Sequence, residues 1–326
     1  MKDWHRRPAA WTGNDGMRLD DELLADLELA IAALARGDAG VLRQPRLQAS
    51  RRAVHQWLER GGGAFALTSP TLRELPREAF HQVFRDWCEW LGTPVSINLR
   101  GDTLKEVRDA GVTDSAMAPQ RGHMTNQELA FHSDRADLTC LACWSPAASG
   151  GEFRVVSSAW VVQYVAERYP QLLAQLVEPL PHDLRGEGDG DYVLLPILSE
   201  SAAGFVFRYI RKFNESVVRH GVELPDSTRR LLDAVDEAVE QPGAAAEVVF
   251  DKGTVVLCNN HTTLHSRHAF TDDASRQRCL LRCWLASEFT RPLPDAFAPL
   301  FHDVRAGRLR GGVRQTAPVQ TDQRPS

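Results

Sequence analysis

From Val95 onward the apolar residues fall in short β-type runs separated by turn formers, and this texture restricts the chain more than any other feature. The runs are Val95–Leu99, Leu129–His132, Leu138–Trp144, Phe153–Val156, Tyr192–Ile197, Gly204–Ile210, Glu247–Phe250, Thr254–Cys258 and Arg278–Leu285. Such a succession predicts an antiparallel double sheet. Two helical inserts interrupt it, one opening at Ser157 or Ser158 as N-cap and reaching about Val177, the other covering Ser227 to Val239. Weakly patterned loops lie at Gly101–Asn126 and His182–Asp191, lengths that suit lids or binding loops.

The part before Val95 reads as mostly helical. Acidic residues open a helix from Asp20 to Arg36, Leu23, Leu24, Leu27, Ile31 and Leu34 form its stripe, and Gly37 stops it. A second helix covers Leu47 to Arg60, Phe65–Leu67 is a short strand, and Pro76 to Leu91 is an amphipathic helix with Phe80, Val83, Phe84, Trp87 and Trp90 inward. We therefore expect helices in 1–93 packed on a β core in 94–306, as one structural domain, with a mobile tail over 307–326.

The formal charge of -5 is the wrong sign for a protein that must displace phosphate counterions, so nucleic acid is an improbable partner. No run is long and apolar enough to span a bilayer, and the stretch from Met1 to Pro8 carries charges where a secretory signal needs an apolar segment. A cytoplasmic protein is expected. Six cysteines (Cys88, Cys140, Cys143, Cys258, Cys279, Cys283) are too few for a disulfide scaffold. Their C-x-x-C and C-x-x-x-C spacings could hold zinc, but an i, i+3 pair on a strand points to opposite faces, and buried thiols are the simpler expectation. The Gly/Asp alternation of Arg185–Asp191 lacks the spacing of a calcium loop and predicts a solvated hairpin turn.

The sharpest local chemistry is Phe131-His132-Ser133-Asp134. Residues i and i+2 of a strand share a face, so imidazole and carboxylate can converge on one ion. A second histidine would complete the 2-His-1-carboxylate triad that binds Fe(II) on one octahedral face. On spacing alone His261, His265 and His268 compete for that role. Further on, Arg278, Leu280, Arg282 and Trp284 share a face of an apolar strand, and buried guanidinium groups need an anion. The distal carboxylate of 2-oxoglutarate would serve, and an internal ion pair with one of the 43 acidic residues is the plainer alternative. Arg208, Arg211 and Asn126 are weighed as substrate contacts, against ordinary surface ion pairs.

Together these segments resemble the TauD/TfdA family of Fe(II)- and 2-oxoglutarate-dependent dioxygenases, from about Pro94 to Leu285. The likeness lies in the H-x-D segment, the following apolar strand, the turn Gly150-Gly151-Glu152, and the closing pattern Asn260–Arg267 with Arg278–Arg282. It implies a double-stranded β-helix, a jelly-roll variant, with His132, Asp134 and His265 as iron ligands. It also implies Arg278 as grip on 2-oxoglutarate, with Arg282 assisting or reaching a substrate anion. The implied reaction uses O2 and 2-oxoglutarate, hydroxylates a small molecule and releases succinate and CO2; the extra arginines favour an amino acid or similar small carboxylate as substrate. Asp134 stands where related halogenases have Gly or Ala, which argues for hydroxylation. Phe153 departs from the family's usual Thr or Ser, and either Ser157 or another hydroxyl replaces that contact or the arginines suffice. Rival readings are a non-catalytic binding protein on the same fold, or a zinc-dependent hydrolase built on the same three side chains.

Overall fold

A computed structural model describes residues 13–111, 125–201 and 204–314. It is a mixed α/β structure whose strand pairs are all antiparallel. A six-stranded sheet runs in the order Ala64–Thr68, Thr254–Asn259, Leu138–Ser145, Cys279–Ala286 and Thr93–Val95, with Leu104–Val107 also pairing with Cys279–Ala286. A four-stranded sheet runs Ala246–Val248, Phe153–Ser157, Thr263–Arg267, Leu129–His132.

Period-two alternation divides the work of the central strands. Leu138, Cys140 and Ala142, with Val255, Leu257, Leu281, Cys283 and Leu285, join one apolar cluster with Leu27, Ile31, Val54, Leu58, Phe80, Phe84 and Trp87. The intervening Leu141, Cys143, Val256, Cys258 and Leu280 turn the other way and meet Phe153 and Val155 of the second sheet. The outer face of that second sheet, Phe131, Val156 and Leu264, is covered by Val161, Val165, Leu231 and Val235. These four lie on helices Ser158–Arg168 and Asp226–Val239. Both sheets are thus covered on their outer faces, and the space between them holds a buried chamber lined by polar as well as apolar side chains.

The N-terminal helices form where the pattern predicts. Helix Asp21–Ala35 is capped by Asp20, whose carboxylate accepts from the backbone N–H of Glu22 and Leu23, and Gly37 beyond it takes φ +74°. Pro45–Arg60 starts with proline at its first position, and Arg77–Leu91 buries Phe80, Val83, Phe84, Trp87 and Leu91 while Trp90 is only partly covered.

Several expectations need correction. The first insert is helical only to Arg168; Pro170, which has no N–H to donate, begins a separate 3-10 segment to Val177. Ser157 precedes this helix without capping it through its side chain. The strand expected at Val95–Leu99 is Thr93–Val95, and Thr263–Arg267 is a strand that its polar composition concealed. Arg185–Asp191 does form a hairpin turn, between Leu180–Asp183 and Tyr192–Leu195. Of the long loop Gly101–Asn126, residues 112–124 lie outside the described residues, as do 1–12 and 315–326.

Residues 310–313 are buried against the body of the fold, whereas Arg308, Leu309 and Arg314 are exposed. Arg310 is fully buried, its Nε 2.7 Å from Asp137 Oδ1, and the N–H of Gly312 donates to Arg135 O at 2.7 Å. Gly311 has φ +74°, and a Cβ there would meet Arg135 O at 2.8 Å, so this crossing needs glycine. Among the described residues no helix is long and apolar enough to cross a membrane.

Candidate metal centre

Strand pairing brings the two histidines together: His265, at the middle of Thr263–Arg267, stands directly opposite His132, the last residue of Leu129–His132. Asp134 follows on the loop beyond that strand end and still turns back toward them. The ligand atoms of His132, Asp134 and His265 all lie within 4.8 Å of one another, the one such group of histidine, cysteine or carboxylate side chains among the described residues. His132 Nε2 is 3.8 Å from Asp134 Oδ1, and His265 Nε2 is 3.5 Å from Asp134 Oδ2. The two imidazole centroids are 4.4 Å apart.

The surroundings set protonation states that suit a divalent cation. His132 donates from Nδ1 to Ala130 O at 2.9 Å, which leaves the Nε2 lone pair facing Asp134 and His265. Burial, and secondarily His265, push its pKa down to about 4, so the ring is neutral at pH 7. Burial opposes ionisation of Asp134 but is outweighed by the hydrogen bond and charge of His265, with Arg282 and His132 adding; its carboxyl is held well below the usual range. Two imidazole nitrogens and one carboxylate oxygen form a donor set that fits Fe(II).

Arg278 and Arg282 line the same chamber, with Thr139, Phe153 and Arg267. Neither makes an ion pair with a carboxylate among the described residues. Nη1 of Arg278 and Nε of Arg282 are buried without hydrogen-bond partners. Burial, then the nearby Arg267, brings the Arg278 pKa down to about 10. The Arg278 guanidinium lies over Phe250 and Phe270, and Gly151, at φ +80°, admits it: a Cβ there would sit 3.1 Å from Arg278 Nε. Two buried guanidinium groups without carboxylate partners among the described residues can receive an anion beside the three ligands.

The competing histidines are committed elsewhere. His261 Nε2 is 2.8 Å from Asp137 Oδ1, and the exposed His268 faces Glu247 at 3.4 Å. The cysteines make no four-thiol group among the described residues: Cys140 and Cys283 pair in register on the helix-facing side, whereas Cys143 faces the inner cluster.

The three substrate candidates are not in the chamber. Arg211 is held by Glu215, Asp233 and Asp236 at 2.8, 2.7 and 2.8 Å, an ordinary ion-pair cluster. Asn126 is exposed and uses its carbonyl to accept from Phe270 N. Arg208 is buried, but its Nη1 donates to Ser133 O and Asp134 O, both at 2.7 Å, and so braces the ligand loop from behind. Ser157 also stays outside the lining; the hydroxyls that reach it are Thr139 and Ser266. Phe153 takes the place of a hydroxyl by stacking on His265.

Sequence reasoning missed the partners of Asp134. Its Oδ2 accepts from Thr139 Oγ1 at 2.7 Å and Trp284 Nε1 at 2.8 Å, and its N–H donates to Asn260 Oδ1 at 3.0 Å. The only available signal was the shared face of Arg282 and Trp284.

Comparison with known proteins bears on the same residues. The sequence model of a family described as "Taurine catabolism dioxygenase TauD, TfdA family" matches residues 32–284. FR-33289 synthase of Streptomyces rubellomurinus (strain ATCC 31215) is 30% identical over 217 residues, a match spanning 64% of this chain and 64% of that protein. Two solved structures share the fold. One is the asparagine oxygenase in complex with Fe(II), 2S,3S-3-hydroxyasparagine and succinate, with a TM-score of 0.62 and 14% identity over 91% of this chain and 98% of that one. The other is the non-heme iron oxygenase OrfP with Fe and alpha-ketoglutaric acid, with a TM-score of 0.56 and 18% identity over 82% and 92%.

Proposed function

The chain belongs to the TauD, TfdA family of dioxygenases, and from that premise we propose that it is an Fe(II)- and 2-oxoglutarate-dependent oxygenase that hydroxylates an unactivated C–H bond of a small molecule. The observation that carries this reading is the convergence of His132, Asp134 and His265 in a chamber that also holds two buried arginines without carboxylate partners. In this reading the two facing sheets are the halves of a double-stranded β-helix, and 1–93 and 94–306 act as one unit through the apolar cluster they share.

His132, Asp134 and His265 hold Fe(II), leaving three positions of an octahedron for other ligands. Bound iron with 2-oxoglutarate and O2 supplies the oxidative decarboxylation, with succinate and CO2 as products, and the oxidation of the C–H bond. The protein supplies placement. Arg278, wedged against Gly151 and two aromatic rings, pairs with the distal carboxylate of 2-oxoglutarate, and Arg282 assists it or receives a substrate anion. Leu141, Phe153 and Leu280 line the chamber and exclude water from it.

The substrate is an amino acid or similar small carboxylate. The surplus of positive charge in the chamber supports this, as do the hydroxyasparagine and (3S)-hydroxy-L-Arg held in complexes of the structural relatives. Six free, buried thiols suit a reducing cytoplasm. Anaerobic Fe(II) titration of the folded protein with 2-oxoglutarate tests the proposal. A weak visible charge-transfer band is expected, and oxygen-dependent succinate release should follow on admitting air; neither appearing would sink it.

A further inference from the structure

The geometry points to Thr139 and Trp284 as positioning residues that make Asp134 a one-oxygen ligand, an inference that rests on the proposed metal site. In the six-stranded sheet Trp284 and Thr139 stand opposite each other in register, so both project from one face toward Asp134. Thr139 Oγ1 donates to Oδ2 at 2.7 Å and Trp284 Nε1 at 2.8 Å. An sp² carboxylate oxygen offers two lone pairs, and these two donors, both much nearer than His265 Nε2 at 3.5 Å, occupy them. Oδ1 accepts no hydrogen bond among the described residues and remains for the metal.

The direction of each bond is fixed. An indole N–H can only donate. Thr139 Oγ1 accepts from Asn260 Nδ2 at 3.0 Å, which turns its own hydrogen toward Asp134. Asn260 cannot be flipped without loss, because its Oδ1 accepts the N–H of Asp134 at 3.0 Å. The chain Asn260 to Thr139 to Asp134 therefore orients a carboxylate whose alternative is to chelate through both oxygens. A chelating carboxylate would raise the protein's share of an octahedral metal from three positions to four and leave too few for a bidentate 2-oxo acid and O2 together.

The test uses the full chain under anaerobic conditions, with Fe(II) alone and then Fe(II) with 2-oxoglutarate. Loss of either donor, in Thr139→Val or Trp284→Phe, should weaken Fe(II) binding about 10- to 100-fold and shift or diminish the chelate's visible band. Thr139→Ser, which keeps the hydroxyl, should restore wild-type affinity and spectrum. Wild-type Fe(II) affinity and band in both Thr139→Val and Trp284→Phe, or equal loss in Thr139→Ser and Thr139→Val, would overturn the inference. His132→Ala separates the two levels: it must lose Fe(II) if the triad is the metal site, and retention there would sink the site itself whatever the donor variants do.

Discussion

The ring of Phe153 lies on that of His265, with centroids 5.4 Å apart and planes 27° from parallel. The ligand histidine is thus held by packing against a phenyl ring as well as by its strand. Phe153 is buried between the sheets, and Phe153→Ala should cost about 3–5 kcal/mol of stability. Urea denaturation of the metal-free protein measures the loss, and Fe(II) affinity should fall with it because the His265 ring is freed to turn.

Arg278→Leu should raise the KM for 2-oxoglutarate about a hundredfold, the scale of about 3 kcal/mol for losing one partner of a buried charge pair. Fe(II) binding in the absence of 2-oxoglutarate should be unchanged. Succinate assays across 2-oxoglutarate concentration, set beside a metal titration, read the two effects separately.

The metal-free protein should lose stability as the pH falls from 6.5 toward 4. Burial pushes the pKa of both His132 and His55 down to about 4, from an ordinary value of 6.5. Between those limits the unfolded chain binds protons that the folded one refuses, so stability rises with pH there, by at most about 1.4 kcal/mol per unit for each ring. The pKa of Asp134 is depressed as well, and by the same linkage it gives stability above the unfolded value that is lost only at lower pH, below this window. Urea midpoints at several pH values check the slope, and His55→Gln should reduce it.

Arg310→Met should destabilise the fold by about 3–5 kcal/mol, because it leaves Asp137 charged and buried with only His261 and the Ser287 N–H for company. Thermal denaturation measures the difference. A near-neutral result would mean that His261 takes the proton and carries the pair alone.

What the sequence disclosed was whatever local periodicity controls. His132 and Asp134 are two apart and Arg278 and Arg282 four apart, so alternation anticipates a shared face for each pair, although His132 ends its strand and Arg278 stands just before its own, which leaves Asp134 and Arg278 to be placed by the adjoining loops. Arg211 failed as a substrate contact because its carboxylates Asp233 and Asp236 come from a separate helix whose docking no spacing foretells. Thr139 and Trp284 were invisible for a similar reason, since their meeting depends on the register of two strands far apart in the chain. Thr263–Arg267 hid as a strand because its inward face carries a ligand instead of apolar side chains.

The partnership of Asp137 with Arg310 spans 173 residues of chain. The loop that carries Asp134 is thus fastened by residues that follow the last ligand, His265, in the chain, and a truncation before Arg310 would leave all three ligands present but the carboxylate's loop without its anchor.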